Sequence, residues 1–161
     1  MEPDGIALDE RTALDQRLDF QRSTLLMKCA GLLPEQLALR ACPPSKLSLL
    51  GLIRHLSTVE PWFHAYDGQP DHQYFWNYAD NATLDLDMDG ADPARADEDL
   101  ASYLASVERS KAAIAERSLD EVMPERSVTL RWIYLHMIEE YARHNGHADF
   151  LRETIDGETG E

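Results

Sequence analysis

Basic residues are scarce in this chain: 15 Lys and Arg stand against 30 Asp and Glu, a formal charge of −15 over 161 residues. Nucleic acid and anionic membranes both demand clustered positive charge, so neither is expected as a partner. Cysteine is rarer still. Cys29 and Cys42 form no CxxC or other ligand spacing and are expected to be reduced, Cys29 on an apolar helical face and Cys42 in a connection. No run approaches the ~20 apolar residues of a membrane span. The opening residues are acidic (Glu2, Asp4, Asp9), unlike a secretory or transit leader, and the expectation is a soluble cytoplasmic protein. Strand-like alternation and internal repeats are absent as well. The length suits one domain, residues 1–161, with a core of its own.

What remains is helical periodicity. Four long segments carry it, at about 9–30, 46–66, 93–117 and 128–155. Leu14, Leu18, Leu25 and Cys29 share a face of the first, which ends near Gly31; residues 33–40 add a short turn. The second begins at Ser45 or Lys46 and carries Leu49, Leu52, Leu56, Val59, Phe63 and Tyr66, with Pro61 expected to bend or loosen it near its end. Asp92-Pro93 announces the third, with Leu100, Leu104, Val107 and Ile114 inward. Ser127 or Thr129 caps the fourth, after Pro124. These segments predict an all-α fold, a four-helix bundle. Residues 67–91 form a crossover connection between helices two and three, long enough to traverse the bundle.

The buried stripe of the fourth helix reads Leu130, Ile133, Tyr134, Met137, Tyr141, Ala148, Leu151 and Ile155, within a sector of roughly 100°. Glu140 and His144 project into it one turn apart. A carboxylate in apolar surroundings costs several kcal/mol unless compensated. A metal ion compensates it while also taking an imidazole. His55, on the inward arc of helix two, is the natural third ligand. Two imidazoles and one carboxylate leave a coordination position open, and the set suits Zn2+ first, with Ni2+ and Fe2+ accepting the same donors. Each residue also has a plainer reading: His144 as a hydrogen-bonded core histidine, Glu140 as its ion-pair partner, His55 as a helix-face histidine. His147 follows His144 by three residues, placed to orient a ligand or touch substrate. His136 falls at the stripe's edge, and solvent exposure is expected for His64 and His72. The aromatic run 74–78 reads as a pocket wall or a lid, and Trp62 and Trp132 as packing residues.

Two stretches resemble the DinB-like family. Residues 129–149 (TLRWIYLHMIEEYARHNGHAD) are similar to its last helix, in an actinobacterial branch, and residues 47–56 (LSLLGLIRHL) to its second. The resemblance implies a four-helix bundle holding a metal by one histidine from helix two and two ligands, i and i+4, from helix four. Here those positions are His55, Glu140 and His144, an arrangement similar to that of mycothiol-dependent maleylpyruvate isomerases. The family's usual Gln three residues after the last ligand is His147 in this chain.

The resemblance further implies a transferase that activates a low-molecular-weight thiol, mycothiol or a similar compound, for attack on an electrophile, and commonly a homodimer. Metal-dependent hydrolysis with Glu139 or His147 as base, thiol-dependent isomerisation, and a stress-related metal-binding protein without a reaction stand as alternatives.

Overall fold

The computed structural model describes residues 9–69, 85–123 and 127–159. His72, the aromatic run 74–78 and Pro124 lie outside the described residues. The elements are α1 (Glu10–Cys29), α2 (Pro34–Leu37), α3 (Leu49–Val59), α4 (Pro61–His64), α5 (Leu86–Asp89), a 3-10 turn (Pro93–Arg95), α6 (Ala96–Ile114) and α7 (Leu130–Asp156). The protein is an all-α bundle, as expected, its rods being α1, α3 with α4, α6, and α7. Among the described residues no strand forms; one antiparallel bridge, Val122 to Thr129, closes the loop before α7.

Local chemistry sets the helix starts. The side chains of Asp9, Ser48 and Thr129 accept from the backbone N–H groups of Thr12, Gly51 and Trp132, satisfying donors a first turn leaves unpaired. The cap at Ser48 starts the second rod at Leu49, later than Ser45 or Lys46. That rod also breaks. Pro61 has no amide hydrogen to continue the ladder, so α3 ends at Val59 and Glu60 links it to the single turn of α4. Asp92 caps the 3-10 turn, and α6 begins only at Ala96 and stops at Ile114, short of 117.

The inward face of α6 also differs from the expectation. Leu104 is 43% exposed, whereas Tyr103, Ser106 and Ser110 are buried. Polar side chains occupy this face because α3 and α4 offer them partners: the Ser106 hydroxyl donates to the Ser57 carbonyl and that of Ser110 to the Glu60 carbonyl. Val107 and Ile114 are buried and Leu100 packs against the core as expected, so apolar periodicity errs here only at Leu104.

Side-chain pairings give the topology. Glu10 meets Arg131, Gln21 meets Asn145 and Lys28 meets Asp149, so α1 and α7 run parallel. His55 meets His144 and Phe63 meets Tyr134, so α3 and α7 are antiparallel. Arg54 meets Asp99 and Glu60 meets Ser110, so α3 and α6 are parallel. The order is up-down-down-up, which requires the connection between α4 and α6 to traverse the bundle.

Leu18, Leu25, Leu52, Leu56, Phe63, Ile133 and Met137 fill the centre at 1% exposure or less. Each such side chain contributes about 1.5–3 kcal/mol of burial. A polar seam crosses this core. Glu60 is fully buried, and Arg22 donates from Nε and Nη2 to its two oxygens at 2.9 and 2.7 Å. The Tyr141 hydroxyl donates to Glu60 Oε1 at 2.6 Å, and the Tyr103 hydroxyl lies 3.0 Å from that of Tyr141. Four rods thus share one buried charge pair.

Candidate metal centre

His55 is carried by α3, seven residues after its cap, and Glu140 and His144 sit one turn apart in the middle of α7. Because the two helices are antiparallel, these positions face each other. One donor atom from each of the three residues lies within 4.8 Å of the others. The His55 and His144 ring centroids are 4.6 Å apart, and His144 Nε2 is 3.4 Å from Glu140 Oε2. A tetrahedral ion with bonds of about 2.0–2.2 Å would hold such donors roughly 3.4 Å apart, which small side-chain rotations reach. The side chains of His55 and Glu140 are 24% and 19% exposed, so the cluster is open on one side.

Each imidazole has a partner on its other nitrogen. His55 Nδ1 lies 2.7 Å from Asp87 Oδ2, which leaves Nε2 directed elsewhere. His144 Nδ1 lies 3.4 Å from Nδ1 of His147, a long hydrogen bond. Burial, reinforced by the neighbouring His55 and His147 rings, pushes the His144 pKa down to about 3. A neutral imidazole is the form that binds a metal. It also argues against a Glu140–His144 ion pair, because a neutral His144 carries no charge to set against the carboxylate.

The depressed pKa has a consequence for the metal-free protein. In the unfolded chain His144 titrates near 6.5, so between that pH and about 3 the unfolded state binds a proton the folded state refuses. This contribution to stability is complete above pH 6.5 and is lost as pH falls toward 3. Chelator-treated protein should melt progressively lower from pH 7 to pH 4, and a His144→Gln variant should show a shallower decline. Parallel melting curves for the two proteins would contradict the assignment.

His136 and His64 do not join the cluster. His136 stacks on Trp132 at 5.1 Å and 12°, and lies 4.8 Å from Trp62. Trp132 itself is 44% exposed, so it is only partly a packing residue. His64 is buried, contrary to the exposure expected of a helix end, and its Nε2 bonds the Ser106 carbonyl at 3.0 Å. α4 packs against α6, and that contact covers His64. Glu139 is exposed and pairs with Arg143.

Comparison with family models gives one description, Mycothiol-S-transferase, matching residues 13–157. The chain belongs to that family. The match spans all four rods and includes His55, Glu140 and His144, in accord with the DinB-like resemblance of the last helix. Searches of curated proteins and of solved structures find no match.

A mycothiol-S-transferase handles a thiol, and the chain's own thiols stand apart from the cluster. Burial pushes the Cys29 thiol up to about 12, and the Cys42 sulfur rests 3.8 Å from the Phe150 carbonyl and 3.5 Å from the Thr154 hydroxyl. No described helix is long and apolar enough to cross a membrane. Sequence reasoning missed Asp87. It was visible only as one member of the acidic series Asp85, Asp87, Asp89 in a long connection, and no periodicity relates it to His55, 32 residues earlier.

Proposed function

We propose that this member of the mycothiol-S-transferase family joins a low-molecular-weight thiol, mycothiol or a close analogue, to an electrophilic small molecule at a divalent metal held by His55, Glu140 and His144. The observation that supports it most is the convergence of those three donors from two rods, in a family whose description names a thiol. A divalent ion there, Zn2+ foremost and Ni2+ or Fe2+ by the same donors, would supply a Lewis acid that lowers the pKa of an incoming thiol.

The side chains do the rest. His55 and His144 would offer nitrogen lone pairs, and Glu140 a carboxylate oxygen whose charge would offset part of the cation's. The apolar core around Met137 and Tyr141 keeps water from the rear of the cluster, while the open side admits the thiol. As the carbon–sulfur bond forms, the bond from that carbon to the electrophile's leaving group, or its π bond in an addition, breaks and keeps the electron pair. The thiol proton ends on the departing group or on the adduct. The nucleophile comes from the cosubstrate, so Cys29 and Cys42 are not required. Hydrolysis at the same donors would call for a base, and Glu139 faces solvent beside Arg143.

The test is an assay of zinc-loaded protein with a chromogenic electrophile, with and without mycothiol. Turnover is expected only with the thiol, and the cobalt-substituted protein should gain a sulfur-to-cobalt charge-transfer band on its addition. Equal turnover in its absence would sink the proposal and favour hydrolysis.

A further inference from the structure

The connection between α4 and α6 delivers one short helix, α5, against α3, and the contact is built rather than incidental. Arg54, the residue before His55, is 4% exposed. Its Nε donates to the Asp87 carbonyl at 2.8 Å and its Nη2 to the Leu86 carbonyl at 3.1 Å. Its Nη1 donates to both Asp99 oxygens, at 3.0 and 3.1 Å, so α6 holds the guanidinium that holds α5. Two glycines permit this approach. A Cβ at Gly51 would stand 2.6 Å from the Met88 sulfur, and one at Gly90 2.7 Å from Arg54 Nη2. The result fixes the Asp87 carboxylate, whose side chain is 7% exposed: Oδ1 accepts from the Met88 N–H at 2.8 Å and Oδ2 faces His55 Nδ1 at 2.7 Å.

We propose that Asp87 is the positioning residue of the metal centre: it fixes the tautomer and ring orientation of His55, so that Nε2 is presented to the cation. The inference rests on the metal reading above. An ionised carboxylate only accepts hydrogen bonds, so the Nδ1 it faces carries the proton and Nε2 keeps its lone pair. Carboxylates placed behind ligating imidazoles in this way orient the ring and raise its basicity, and their loss weakens metal binding by about 10- to 100-fold. In this chain the carboxylate comes from the crossover rather than from a rod, which makes the docking of α5 part of the site.

The test measures Zn2+ affinity of the full chain by competition with a chromophoric chelator, without recourse to turnover. Asp87→Ala should bind zinc about 10- to 100-fold more weakly. Asp87→Asn keeps the shape but can present either an oxygen or an NH2 to Nδ1, so it should also lose at least about tenfold. Asp85→Ala removes a neighbour on the same segment that pairs with Lys46 at the surface, and it should leave the affinity unchanged.

In zinc-loaded protein labelled at histidine nitrogen, NMR should show His55 protonated at Nδ1 and coordinated at Nε2, with the Nδ1–H signal exchanging fast once Asp87 is removed. If Asp87→Ala fails to fold, the Asn variant decides. Wild-type affinity in the Asn variant, while His55→Ala loses zinc, would overturn the role of Asp87 alone. Wild-type affinity in His55→Ala would remove the metal reading and Asp87's role together.

Discussion

The His144→Ala protein is expected to remain a helical bundle, to purify without metal and to lose thiol transfer by at least about a hundredfold, since removing a ligand should cost no less than removing a residue behind one. The fold should survive because the exchange places alanine, the best helix former, on a face already packed by Tyr141 and Ala148, both fully buried. It also removes an imidazole that folding holds in an unfavourable neutral form at mildly acidic pH.

The sharpest readout is thermal. A ligand that binds only the folded state at a thousand times its dissociation constant stabilises it by about 4.1 kcal/mol. For a chain of this size that corresponds to roughly 8–16 °C in melting temperature. Zinc should raise the melting point of the wild type by an amount in that range, and chelator should reverse it, whereas the variant should respond to neither. Full transfer by a metal-free His144→Ala protein would end the metal hypothesis.

The second large effect lies away from the centre. Arg22→Met strands the Glu60 carboxylate at zero exposure, with Tyr141 as its remaining side-chain donor. Removing one partner of a buried pair typically costs about 3–5 kcal/mol, because the other charge stays desolvated and uncompensated. The melting temperature should fall by roughly 6–20 °C. The double replacement Arg22→Met with Glu60→Leu should recover much of that loss, as it leaves neither charge behind. Denaturation of both variants and of Glu60→Leu alone completes a double-mutant cycle. An Arg22→Met protein melting within about 2 °C of wild type would show the pair to be dispensable. The network matters to the centre too, since Tyr141 is the residue after Glu140 and its hydrogen bond to Glu60 fixes the rotation of α7 at that turn.

Much of this arrangement was legible in the residue pattern, and the reasons it was not elsewhere are physical. The stripe of α7 was readable because eight apolar positions agree on one direction, which made an inward Glu140 and His144 conspicuous. His55 followed from the same logic on α3. The pattern misled at Leu104 because α6 buries serines and Asp99 against partners on α3 and α4, and hydroxyls bonded to carbonyls carry no apolar signature. It was silent at Arg22 and Glu60, since a buried ion pair between distant segments looks in sequence like two surface charges. Asp87 was out of reach for a related reason. Its placement depends on Arg54, Asp99 and two glycines, whose joint geometry exists only after the chain has crossed the bundle. His64 was beyond the pattern because its partner is a backbone carbonyl, that of Ser106 on α6, which leaves no signature in the sequence.

Under the proposed function the protein would work among reagents that alkylate sulfur, its own included. The reactive species is the thiolate, and burial that pushes the Cys29 pKa up to about 12 keeps this thiol protonated at neutral pH. The packing around Cys29 therefore keeps that thiol unreactive, and it does so with the same apolar wall that closes the first rod against the rest of the bundle.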